Sequence, residues 1–319
     1  MRYYDIQVTR QDGTTALAFS TLVNGATNGS ALQVDVDAFY YTTASPTIAA
    51  SVKIWGVGLD MIGQAANYNG MTLTMKGGMS AGLPLANPAQ QGIIAQGLIQ
   101  QAFGNWVMTN QWIEFIVLGT GQQTADQKLN ISNTWKKGQK LADAIKQTLA
   151  VSCPHLKVIT HISDNLVLGE DDTNVSHSLV DYAQYLQRVS QPLLNDPSYT
   201  GVNVAIGDGT FTVNDFTQAG GTPKTIAIQD LVGQPTWIDP NTIQVMTVMR
   251  GDINIFDQIA LPKTQITTAP QDPNTPLKDK SIFQGNFNVY AIHHVGSSRQ
   301  PDANSWATIY DCSPAVPVS

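Results

Sequence analysis

Through much of the first 125 residues, positions of like character recur at every second residue. Ile6 and Val8, then Leu32, Val34 and Val36, then Val52 and Ile54, then Met71, Leu73 and Met75, and finally Trp112, Glu114, Ile116 and Leu118 mark strands by alternation or short apolar runs. Turn chemistry separates them: Asp12-Gly13 signals a hairpin, and Asn24-Gly25, Asn28-Gly29 and Asn69-Gly70 supply positions that accept φ > 0. Leu59, Ile62 and Ala66 share one face of a short helix, and Pro88 to Phe103 reads as a second. The expected product is a partly closed β-barrel with a helical insert over residues 1–125.

From 126 to 222 the period changes. Leu141, Ala144, Ile145 and Leu149 form one stripe of an amphipathic helix. A second helix follows, capped by Ser176 or Ser178, with Asp181 in its first turn and Leu179, Tyr182, Ala183 and Leu186 as its buried stripe. Val202, Val204 and Ile206 then alternate, turn through Asp208-Gly209 and return as Phe211 and Val213, a hairpin signal. Two helices against a short sheet make a small α/β module.

Gln218-Ala219-Gly220-Gly221-Thr222-Pro223 resists both helix and strand and is the expected linker. Beyond it, over 223–319, strands resume at Ile226 and Ile228, Ile243 to Val248, Ile253 to Ile259, and Gly285 to Val295. That last run puts Phe287, Val289, Ala291 and His293 on one face and Asn286, Asn288, Tyr290 and Ile292 on the other. Thr267 to Asp279, rich in Pro, Asp, Thr and Asn, reads as a long exposed loop. The fold class expected is mainly β with an α/β insert: two tube-like β-barrel domains, each with its own sheet, flanking the module.

With 319 residues the chain is long enough for two or three cores. Only 13% of residues are charged and 42% are hydrophobic, against a usual charged fraction of about 25%, so the surface is rich in Thr, Asn, Gln, Ser and Gly. Such a surface suits faces covered by partners. The formal net charge of −7, and no basic cluster larger than Lys136-Lys137, argue against nucleic-acid binding through a basic surface. Met1 to Val8 begins on a strand pattern without a signal-length apolar run, so folding in a cytoplasm is expected. In that reducing setting Cys153 and Cys312, far apart, read as free thiols.

Candidate chemistry is sparse. Neighbouring His293 and His294 point to opposite faces of a strand and do not share a metal; His155, His161 and His177 read as surface or capping residues. The acidic run Glu170-Asp171-Asp172 lacks the periodicity of a calcium loop and reads as a solvated turn leading to a helix. Lys76 to Gly82 has glycines but no phosphate-loop ending. Trp55, Trp106, Trp112, Trp135, Trp237 and Trp306 are spread over all three segments and are expected to fill separate cores. An alternative use, stacking on sugars, belongs to a monomeric β-rich carbohydrate-binding protein. No catalytic, metal or cofactor residue is assigned, and no enzyme activity is expected.

Several stretches, in order, resemble one family. Leu231-Val232-Gly233-Gln234-Pro235, the strand ending at His293-His294 before Gly296, and the late strand with Trp306 resemble the closing domain of the baseplate hub protein of contractile-tailed bacteriophages. Ala50 to Gly58, Asn69 to Gly78 and Ile93 to Ile99 resemble that family's early strands. The family usually has Asn where Gly56 stands and an Ala-Gly-aromatic ending where Met75-Lys76-Gly77-Gly78 stands. The resemblance covers most of the chain. It implies a homotrimeric ring in which the first and third domains alternate, so that three chains present six similar units between a sixfold tail tube and a threefold central spike. Implied partners are the spike, the tail tube or a tube-initiating protein, and tape-measure and wedge proteins, with DNA passing through the channel unbound. The implied location is the virion tail baseplate, assembled in the host cytoplasm. The family's contacts are made by surfaces, so interface residues do not carry over.

Overall fold

The computed structural model describes residues 2–42, 48–80, 87–119, 129–196, 199–207, 209–217, 221–239, 241–262, 285–302 and 305–315. The loop expected at Thr267 to Asp279, Asp208 of the hairpin turn, and parts of the expected linker and of the Lys76 to Gly82 run lie outside these residues.

In the first segment, β1 (Arg2–Thr9) buries Tyr4, Ile6 and Val8 on one face and turns through Gly13, at φ 82°, into β2 (Thr15–Ser20). A small hairpin, β3 (Leu22–Val23) and β4 (Ala26–Thr27), closes on Asn24-Gly25, both at positive φ. Next come β5 (Gln33–Tyr41), β6 (Ile48–Trp55), α1 (Leu59–Gly63), β7 (Thr72–Met79), β8 (Gly92–Val107) and β9 (Asn110–Leu118). The order β5-β6-β9-β8-β7-β1-β2 is antiparallel throughout. Every strand of this order but β2 turns fully buried side chains to one core; Val34, Val52, Leu73, Ile99 and Phe115 are examples, so the sheet curls about them.

Three expectations fail here. Pro88 to Phe103 is not a helix: Pro88–Gln90 makes a 3₁₀ turn and the rest is β8, whose β-branched Ile94 and Ile99 pack into the core while Ile93 faces out. In β9 the core face is Ile113, Phe115 and Val117, the opposite phase from the one read. Both phases are apolar-rich, and alternation alone does not choose between them. After α1 the chain tightens to a 3₁₀ turn, so Ala65 and Tyr68 are buried while Leu59 is exposed.

The middle segment has its own core. Its elements are β10 (Ile131–Trp135), α2 (Leu141–Ser152), β11 (Lys157–His161), β12 (Asp172–Ser176), α3 (Leu179–Ser190), β13 (Asn203–Gly207) and β14 (Thr210–Asn214). Both expected helix stripes are buried, and Ser178 caps α3, its Oγ accepting the Asp181 N–H at 3.0 Å. The β13–β14 hairpin forms, with β11 parallel to β14 on its other side. Asp172 opens a strand paired with β10 rather than lying in a turn.

The last segment holds β15 (Lys224–Thr225), β16 (Thr236–Asp239), β17 (Thr242–Val248), β18 (Gln258–Leu261), β19 (Gly285–Ser297) and β20 (Trp306–Pro314), around Ile226, Val245, Ile259, Val289 and Tyr310. Within Ile253 to Ile259 only the end is strand, because the backbone turns at Phe256, at φ 72°. The fold is mainly β with an α/β insert, but the two ends are not separate sheets. The first half of β19 pairs with β18, and its second half pairs with β5, from Ala291 opposite Tyr41 to Ser297 opposite Asp35. A bulge between Val289 and Ala291 marks the exchange. It also flips the phase, so His294 rather than His293 is buried.

Close backbone approach explains Gly97, where an added Cβ would lie 2.0 Å from the Leu118 carbonyl oxygen. Gly97→Ala is expected to destabilise the protein by about 2–4 kcal/mol, whereas Gly63→Ala, with open space around it, is neutral or slightly stabilising; denaturant midpoints measure both.

Candidate functional site

The two barrel-like cores interlock where β17, β20 and the start of β8 meet. Trp306 and Met249, from the last segment, are buried in the first segment's core, and the Trp306 indole N–H donates to Gly78 O at 2.9 Å. Beside them Arg250, 3% exposed, holds Asp252 through two hydrogen bonds of 2.8 Å and lies 3.4 Å from Asp230. Gln90, from the first segment, donates to the same Asp230 oxygen at 2.8 Å. The Gly251 N–H donates to Gln90 O at 2.9 Å, and Gly92 and Gly251 touch so closely that a Cβ on either would clash with the other's backbone. A buried cation is tolerable only when its donors are met by fixed acceptors, and this one is. Gln90, Asp230 and Arg250 are far apart in the chain, so sequence spacing carries no trace of their meeting.

His294 continues the junction. Its Nδ1 lies 2.9 Å from Thr308 Oγ1, whose oxygen also accepts the Arg250 N–H at 3.1 Å. Burial, with a smaller contribution from neighbouring His293, pushes the imidazole pKa down to about 3. His293 emerges on the opposite face, stacked on Phe39 with ring centres 3.7 Å apart and 2.7 Å from Asp37 Oδ1. His155, His161 and His177 are exposed. Among the described residues no three His, Cys, Asp or Glu side chains are grouped to hold a metal ion. Asp171 accepts from Lys136 Nζ at 2.7 Å and from the Lys137 N–H at 2.9 Å, which hold its carboxyl below the usual range; Asp172 accepts from the Tyr185 hydroxyl. Both acids are thus engaged within the module. Cys153 and Cys312 are free and buried, and burial raises both thiols.

The tryptophans do not all fill cores. Trp135 and Trp306 do, but Trp106 is 61% exposed at the β8–β9 hairpin tip, next to Val107 and Met108. Trp55 and Trp112 pair on the outer sheet face, ring centres 4.9 Å apart, with Lys53 over both rings. Trp55 Nε1 donates to Asp35 at 2.6 Å. Two of the clefts that border this sheet are of ligand size. One of about 400 Å³ lies where all three segments meet, between Tyr40, Ile93, Thr212 and Phe256. The other, about 380 Å³, lies between Gln33, Trp55 and the β8–β9 turn.

Solved structures place this architecture. Over 97% of this chain and 96% of the other, it superposes on the tail protein from Neisseria meningitidis MC58 with a TM-score of 0.53 and 11% identity. The 43 kDa tail protein of prophage MuSo2 from Shewanella oneidensis aligns over 99% of both chains, with a TM-score of 0.53 and 8% identity. The chain has the fold of a phage tail protein. The same tail-protein fold relates it to the E. coli c3393 protein, a type VI secretion component described as similar to T4 tail proteins gp27 and gp5, with a TM-score of 0.51 and 8% identity over 90% of this chain and 74% of that one. No protein-family model matches the sequence, and no curated protein matches it.

Two outcomes follow from the junction. Arg250→Met leaves Asp230 and Asp252 without their cation and is expected to cost about 3–5 kcal/mol, read as a lowered denaturant midpoint; adding Asp230→Leu recovers part of it. His294 stays neutral when folded and takes up a proton when unfolded near pH 6.5. Stability is therefore full above pH 6.5 and falls as pH drops toward 3, by about 2 kcal/mol at pH 5. In His294→Gln that decline is shallower over the same window.

Proposed function

We propose that this chain is a structural hub subunit of a contractile phage tail baseplate, three copies of which form a ring joining a sixfold tail tube to a threefold central spike. Residues 1–125 and 223–319 are its two tube-like domains and 126–222 its small α/β module. The observation that carries this reading is the β5–β19 ladder, which fixes two barrel-like units side by side in every chain. Three chains so built offer six such units, and a threefold object can then seat a sixfold one without covalent chemistry. The tail-protein fold and the low charged fraction support the same reading. Its partners are the spike, the tube or a tube-initiating protein, and tape-measure and wedge proteins. The subunit resides in the virion tail baseplate after assembly in the host cytoplasm, lets DNA pass unbound, and has no catalytic role.

Electron microscopy of the assembled particle tests the ring: threefold averages containing three copies are expected, and a sixfold ring of this chain, or a strictly monomeric protein, contradicts the reading. Incubation with purified peptidoglycan is expected to release no product. Cleavage that Asp171→Ala, Asp172→Ala or His293→Ala removes would overturn the non-enzymatic assignment.

A further inference from the structure

The cleft beside the β8–β9 turn has the chemistry of a saccharide subsite. Its wall is Trp55, half-buried and fixed by the hydrogen bond from its indole to Asp35 and by packing on Trp112. Its rim is Gln33, Thr109, Asn110 and Gln111, and its floor is the bare backbone of Gly56, which holds φ 78° and donates its N–H to Gln111 O at 2.7 Å. No charged side chain lines it. The volume of about 380 Å³ is at the small end of the range for ligand sites, roughly 300–1,000 Å³.

We propose that this cleft binds one or two rings of a neutral saccharide. The face of an indole is electron-rich, and the C–H bonds on one face of a pyranose ring present partial positive charge to it. The Asn110 and Gln111 amides and the Thr109 hydroxyl offer donors and acceptors to adjacent sugar hydroxyls, while Gln33, whose Nε2 donates to Asp35 and Ser297 at 3.3 Å, offers its amide oxygen. An anionic ligand would find no cation lining the cleft; Lys53, over the Trp55 ring, is paired with Glu114 at 3.6 Å, and Asp35 lies beside the Trp55 indole N–H. A purely apolar ligand would leave the Asn110 and Gln111 amides unpaired. This role is independent of the ring: the cleft is built within one chain.

Titration of the full-length protein with cellobiose and with N,N′-diacetylchitobiose, followed by indole fluorescence and by amide chemical shifts, tests the inference. Saturable binding is expected for at least one of them, with shifts at Gln33, Gly56 and Asn110. The second disaccharide tells whether acetamido groups or hydroxyls alone are recognised. Trp55→Ala is expected to weaken binding about tenfold or more and Trp55→Phe less. Asn110→Ala and Gln111→Ala weaken it without touching the wall, and Trp106→Ala, outside the lining, leaves it unchanged. Absence of saturable binding to either sugar, or wild-type affinity in both Trp55→Ala and Asn110→Ala, overturns the assignment.

Discussion

One strand is shared by two cores. β19 gives its first half to the last segment's sheet and its second half to β5, and with β20 alongside it the described residues of the terminal regions become a single sheet of 13 strands. A sheet ladder fixes spacing to about 4.8 Å and twist within a narrow range, so two units joined in this way hold a set relation. A loose linker would leave their relation free. For a subunit proposed to present two similar units to a ring, that rigidity is the property that matters.

The bulge at Tyr290 makes the exchange possible. A regular strand would carry the same alternation from end to end and would send His293 inward and Ile292 outward. One extra residue shifts the phase, so Phe287 and Val289 face the last core while Ile292 and His294 are buried beyond the bulge. Around it the junction is sealed by unlike devices. Trp306 and Met249 fill the neighbouring core, a contribution of apolar area. The Arg250 cluster contributes specificity, because its charges are compensated only in one relative placement of Gln90, Asp230 and Asp252.

Much of this was legible in the sequence. α2 and α3 carry clear 3.6-residue stripes, Ser178 is one of the two capping serines the spacing offers, and Asp12-Gly13, Asn24-Gly25 and Asn69-Gly70 sit in turns as expected. What failed has physical causes. The sequence of β8 reads partly as a helix because glycines and bulges break its alternation, and its glycines serve close backbone approach, which has no local signature. β9 was read in the wrong phase because both faces are apolar-rich, one meeting the core and the other forming the outer surface with Trp55 and Trp112. The β19 bulge is invisible in composition. Gln90, Asp230 and Arg250 meet only through the fold. The Trp55 cleft was half-visible: tryptophans among amide-rich segments raised sugar stacking, but nothing in the chain said which of the six stood beside a polar rim.

The two barrel-like units form one body through β5 and β19. Native-state hydrogen exchange resolves this ladder by ladder. The amides bonded between Asp35–Tyr41 and Ala291–Ser297 are expected to exchange only through global opening, with protection equal to that of the β1–β7 and β17–β20 ladders. Faster exchange of the β5–β19 amides, with both flanking ladders still protected, would show the two units separating on their own and would contradict the account.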